Sequence, residues 1–99
     1  MPRRTPLTRE EKLARREALA ARAAAGGLRL PDAIRQMREA LDMTQAAFGE
    51  KFGLTRIQVL NLEKGTANPT RETLEKIGRP FGFVLGFVSR PRQDEDGPS

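Results

Sequence analysis

The sequence predicts a mainly α-helical fold, a small bundle with one β-strand near its end. Three observations carry this prediction. Between Thr44 and Gly65 the chain reads as helix, glycine turn, helix. Apolar residues recur at helical spacing on either side of that unit. From Phe81 to Val88 the apolar period changes to two, the period of an extended strand.

Ninety-nine residues suit one small domain with a modest core. Domains of this size often gain stability by associating. The chain has no Cys and no His, which removes disulfides, thiolate nucleophiles, imidazole bases and the usual zinc sets. No nucleophile–base pair or metal-ligand spacing stands out, so neither an enzyme nor a cofactor or metal is expected. No apolar run approaches the length of a membrane span, and the Arg-rich N-terminus lacks the apolar stretch of a secretory signal. A cytoplasmic protein without a membrane partner is the expectation. The net charge is +5, and all of it lies in residues 1–30, because residues 31–78 and 79–99 each balance. A basic arm of this kind fits a polyanion through phosphate neutralisation and counterion release; a solvated charged helix fits it equally well.

The elements follow in order. Residues 1–30 form a basic N-terminal arm and helix. Thr8 and Glu11 have capping-box spacing, residues 9–25 are rich in helix formers, and Gly26-Gly27 stops the helix. Its apolar stripe, Leu13 and Leu19 among alanines, suits leaning on a partner better than building a core. Residues 31–80 hold the compact unit. Pro31 opens a helix in which Ile34, Met37 and Leu41 face inward, with the Arg38 stem alongside. Thr44 N-caps the next helix, where Phe48 and Phe52 share a face, and Gly53 supplies the C-cap. Thr55 caps a further helix that buries Val59 and Leu62 and ends at Gly65. Asn68-Pro69 marks a loop, and a last helix from Thr70 packs Leu74 and Ile77, ending near Arg79.

Residues 81–89 read as a strand carrying Phe81, Phe83, Leu85 and Phe87 on one face. A lone strand leaves its backbone groups unpaired. Its simplest partner is the same strand of a second copy across a two-fold axis; an apolar tail covering the helices is the competing reading. Residues 90–99, with Asp94-Glu95-Asp96, read as a solvated tail.

Helix, short turn about a glycine, helix is the form of the helix-turn-helix, whose second helix enters the DNA major groove. Met43-Thr44-Gln45, Phe48-Gly49, Phe52-Gly53-Leu54-Thr55, Val59, Leu62-Glu63-Lys64-Gly65 and Asn68-Pro69-Thr70 resemble the XRE family of lambda-repressor/Cro-like DNA-binding domains over about residues 32–78. Gly49 departs from the family's usual Ala, at a cost of about 1 kcal/mol in helix propensity. The strand at 81–88 stands where the family's fifth helix would be, and resembles the ending of HipB and HigA-type antitoxins. The N-terminal helix has no counterpart in the usual compact domain.

The resemblance implies roles. Gln45 contacts phosphate and braces the first recognition residue. Thr55 caps the recognition helix and touches phosphate. Arg56, Ile57, Gln58 and Asn61 face the groove, because Val59 and Leu62 face the core. Arg56 fits guanine, or else phosphate; Gln58 or Asn61 fits adenine; Ile57 fits a thymine methyl. Leu60 is left undecided between burial and contact. Lys64, Thr66, Asn68 and Arg71 form a phosphate site around the loop and the next helix start. Glu63, acidic beside DNA, holds a polar contact within the fold, with Arg38 as its candidate partner. The expected function is a repressor that binds duplex DNA as a homodimer on an inverted repeat, with the antitoxin of a toxin–antitoxin operon as its more specific form and a cognate toxin as its partner. The alternative is a protein-interaction module that keeps the scaffold without reading DNA.

Overall fold

The structure, a computed structural model, describes residues 5–87. Five helices follow in order: α1 (Arg9–Ala24), α2 (Asp32–Ala40), α3 (Gln45–Phe52), α4 (Arg56–Lys64) and α5 (Arg71–Gly78), with a 3-10 turn at Arg79–Phe81. Threonines start four of them. The hydroxyls of Thr8, Thr44, Thr55 and Thr70 accept from the main-chain N–H groups of Glu11, Ala47, Gln58 and Thr73. Each satisfies a donor that the first helical turn leaves unpaired. Thr8 completes its capping box, since Glu11 accepts from the Thr8 N–H at 2.9 Å.

The core joins α2, α3, α4 and α5. Phe48, Ile34, Ile77 and Val59 are its largest fully buried side chains. Met37, Phe52 and Leu62 surround them. The Phe48 and Phe52 rings meet edge-on with centroids 4.8 Å apart, a geometry the aromatic quadrupole favours. The helical spacing of Ile34, Met37, Phe48, Phe52, Val59, Leu62 and Ile77 places all of these inward. α1 differs from expectation. Leu19 is buried in the same core, and α1 packs on α2, so the helix leans on its own bundle. Leu13 remains exposed.

The C-terminal segment also differs. Among the described residues there is no strand. Phe81 ends the 3-10 turn, and Gly82 follows with φ +75°, which breaks an extended run. The Phe83 N–H then donates to the Gly78 carbonyl at 3.0 Å. Phe81 and Phe83 stack with ring centroids 5.3 Å apart and pack against the core. Alternation at period two gives these rings one strand face; burial against the helices outweighs it and turns the backbone instead. Leu85 and Phe87 are exposed. The expected tail at 90–99, the end of the expected strand and the first residues of the basic arm lie outside the described residues.

Candidate nucleic-acid interface

α3 and α4 meet through the shortest connection in the fold, Gly53-Leu54-Thr55. Gly53 ends α3 with φ +75°, a left-handed conformation that glycine adopts without steric cost. The Leu54 N–H donates to the Gly49 carbonyl at 2.7 Å. This fold-back brings the Leu54 carbonyl so close that a Cβ on Gly49 would stand 2.4 Å from its oxygen. The turn is thus built around a residue without a side chain.

α4 divides cleanly. Val59 and Leu62 point into the core, while Arg56, Ile57 and Gln58 are exposed and Asn61 is half-buried. Ile57 keeps 52 % of its surface open. Leu60 is half-buried.

The four candidate readers are not equally free. Gln58 completes a capping box, its Oε1 accepting from the Thr55 N–H at 2.8 Å. A Gln pairing bidentately with adenine presents both its amide oxygen and nitrogen, so Gln58 must leave the cap to do so. The Thr-x-x-Gln spacing is itself the sequence signal for this box. Asn61 Oδ1 accepts from the Thr66 hydroxyl at 3.3 Å; the second lone pair of that oxygen and the amide N–H2 are what a bidentate pair with adenine uses. Arg56 is exposed in the first turn of α4.

The candidate phosphate residues fall into two groups. Thr55 caps α4. Lys64, Thr66 and Asn68 are exposed at the end of α4 and in the loop after it, and Arg71 opens α5, its Nε donating to Glu75 at 2.9 Å. Gln45 stands apart at the start of α3, half-buried. Its Nε2 donates to Glu63 Oε1 at 3.1 Å, so the residue it braces is Glu63 at the far end of α4 rather than a residue at its start.

Glu63 is the hub of this region. Arg38 Nε and Nη2 donate to its two oxygens at 2.6 and 3.2 Å, and Arg38 Nη1 donates to the Met43 carbonyl at 3.0 Å. The pair is largely shielded, with side chains 15 % and 7 % exposed. The expected Arg38–Glu63 contact is therefore present, as a bidentate fork. It ties the last turn of α2, the start of α3 and the end of α4 together. Glu63's charge is neutralised inside the fold instead of facing a phosphate.

One contact had no signal in the sequence. Arg16 Nη2 donates to the Pro80 carbonyl at 2.8 Å, and its guanidinium sits 5.4 Å from the Phe81 ring centroid. α1 thereby holds the 3-10 turn from which the C-terminal segment departs.

Comparison with known proteins agrees with this geometry. Residues 34–84 match a family described as helix-turn-helix, a span from within α2 to just past the 3-10 turn. An uncharacterized HTH-type transcriptional regulator of Methanothermobacter thermautotrophicus is 34 % identical over 71 residues, covering 65 % of this chain and 91 % of that protein. No solved structure matches.

Proposed function

This chain belongs to the XRE-type helix-turn-helix family, and we propose from that premise that it is a DNA-binding transcriptional regulator acting as a repressor, with two copies bound to an inverted repeat. The observation that carries the DNA reading is the division of α4. Val59 and Leu62 are locked into the core while Arg56 and Ile57 are exposed and Asn61 is half-buried beside them, a set that mixes groove-length polar groups with one apolar contact.

In this reading α4 enters the major groove. Asn61 recognises adenine, Ile57 meets a thymine methyl, and Arg56 pairs with guanine. Gln58 joins them only by leaving its cap. Thr55, Lys64, Thr66, Asn68 and Arg71 sit on the phosphates to one side of the helix, and Gln45 on the other. Phosphate contacts set the register and base contacts the sequence.

The dimer is supported by exposed apolar surface. Val84 and Phe87 are 90 % and 106 % exposed, and Leu85 and Leu30 about half. They border an apolar groove of about 530 Å³ that Ile34, Met37 and Ile77 also line. A monomer gains nothing from such a patch, whereas a second copy buries it. A two-fold dimer sets two α4 helices one helical turn apart on the same DNA face. Among the described residues no helix is long and apolar enough to cross a membrane, which is compatible with a cytoplasmic regulator. The antitoxin form loses the feature that pointed to it, because the resemblance to that branch rested on the strand.

A mobility-shift assay with the DNA upstream of the protein's own gene tests the proposal. Wild type gives a discrete shifted band that excess unrelated duplex does not remove, and Arg56→Ala/Asn61→Ala gives none. Absence of a specific wild-type shift, or an equal shift by the variant, rejects DNA readout by α4 and favours the protein-interaction reading.

A further inference from the structure

We infer that Arg16 of α1 is a positioning residue for the contact between two copies. It fixes the course of its own protomer's C-terminal segment, and through that segment the spacing of the two α4 helices on DNA. This rests on the reading of the chain as a two-copy regulator and adds to it a role for α1, which lies outside the matched family domain.

Three observations meet at the 3-10 turn. The first is the course of the chain. Val84, Leu85 and Phe87, whose exposed apolar side chains support the dimer, all follow Gly82. Gly82 has φ +75° and open space where a Cβ would stand, so the backbone there has several courses open to it. Among the described residues, the main chain of Val84, Leu85 and Gly86 makes no hydrogen bond. The direction of this segment is therefore set by whatever holds Phe81 and Phe83.

The second is the grip of Arg16. Its Nη2 donates to the Pro80 carbonyl at 2.8 Å, inside a turn to which Pro80 itself brings no N–H. The same guanidinium stands 5.4 Å from the Phe81 ring centroid, and Phe81 stacks on Phe83 at 5.3 Å. One side chain of α1 thus holds the backbone of the turn and, through two rings, the residue from which the exposed segment departs. A guanidinium can do both, because its several donors and its delocalised charge serve the two contacts at once.

The third is the footing of α1. Leu19, three residues beyond Arg16, is buried in the core, so Arg16 acts from a fixed base. Ala23 and Gly26, at the end of α1 and just past it, line the same apolar groove as Val84 and Leu85. α1 therefore borders the surface that the proposed dimer covers. A segment already held in place loses less freedom on association. Release it, and the apparent affinity between copies falls with the fraction of time it spends in the competent course.

The test is sedimentation equilibrium of the full chain, followed by binding to duplex DNA from upstream of its own gene and to the same duplex with one base pair inserted between the half-sites. Arg16→Gln is shorter, carries no charge for Phe81, and has a helix propensity close to that of Arg. It weakens the dimer roughly tenfold, about what an exposed cation–π contact and one net hydrogen bond contribute together. Its preference for the native spacing over the inserted one is smaller than that of wild type. Arg16→Lys keeps the charge without the fork and falls between the two. Arg15→Gln removes the same charge from the side of α1 that faces Gln36 and Glu39, and matches wild type in both measurements. Dimer affinity or spacing preference unchanged in Arg16→Gln, even with a lowered thermal midpoint, overturns this inference alone, as does an equal effect of Arg15→Gln. Wild type that is monomeric both in solution and on DNA overturns it together with the two-copy reading.

Discussion

The Arg38–Glu63–Gln45 network makes the sharpest energetic prediction. Glu63 is 7 % exposed in its side chain and receives two hydrogen bonds from Arg38 and one from Gln45. Arg38→Met removes the guanidinium and keeps an apolar stem of similar length. The carboxylate is then left shielded from water with Gln45 alone, which costs about 3–5 kcal/mol, the usual penalty for stranding one member of a buried pair. Glu63→Gln keeps the shape but faces the guanidinium with a neutral amide, at about 1–3 kcal/mol. With both changes no uncompensated charge remains, so the double variant costs less than the sum by about 1–3 kcal/mol. Each kcal/mol moves the thermal midpoint of a domain this size by roughly 4–8 °C, so urea and thermal melts of the four proteins resolve the cycle. Additivity within about 0.5 kcal/mol refutes the claim that the pair acts as one unit across α2, α3 and α4. Wild-type melts then serve as the reference for Gln45→Ala. That change removes one hydrogen bond from Glu63 and leaves the Arg38 fork, so it costs about 1 kcal/mol.

Three further predictions concern other parts of the molecule. Gly49→Ala gains about 1 kcal/mol in helix propensity but drives a Cβ to 2.4 Å from the Leu54 oxygen; forced overpacking costs about 1–3 kcal/mol, so a urea melt shows net destabilisation, and a stabilised variant contradicts the geometry of the turn. Leu85→Asp puts a charge into the exposed apolar patch and shifts the sedimentation equilibrium toward monomer, whereas a variant as dimeric as wild type removes the patch from the interface. In α2, Asp32 is held below its ordinary value of 3.8, first by the hydrogen bond from Arg35. The folded state binds that proton less tightly than the unfolded chain, so this contribution is complete above the ordinary value and fades as pH falls through the lowered one. Asp32→Asn accordingly lowers stability slightly at neutral pH, flattens the acid limb, and converges on wild type below the lowered value.

Local chemistry makes most of the fold legible. Thr8, Thr44, Thr55 and Thr70 each cap the helix that the sequence assigns them, because capping depends on one hydroxyl and the next three residues. Ile34, Met37, Phe48, Phe52, Val59, Leu62 and Ile77 follow from spacing alone, whereas Leu19 does not. The family resemblance makes Glu63 legible as a residue held inside the fold, with Arg38 its candidate partner, and the pair is present. What fails depends on distant contacts. The alternation at 81–87 reads the same whether its rings face a partner strand or fold back, and only the helices under Phe81 and Phe83 decide. α1 offers one strong apolar side chain, and the guanidinium of Arg16 on Pro80 and Phe81 supplies a grip that no apolar pattern reveals. In the candidate site the split of α4 is legible from period. The engagement of Gln58 in the cap is also encoded locally, but two uses of one amide compete, and its groove-facing position hides its capping role.

The central claim is that α4 reads bases through Arg56, Ile57 and Asn61, and one titration tests it directly. Affinities of wild type and Asn61→Ala are measured on the bound duplex and on a set of duplexes with each half-site base pair changed in turn. The account predicts that wild type loses about 1–3 kcal/mol at one A·T pair and that Asn61→Ala no longer distinguishes that pair from its replacements, while its preferences elsewhere persist. A uniform loss across all duplexes, or unchanged discrimination at every position, contradicts it.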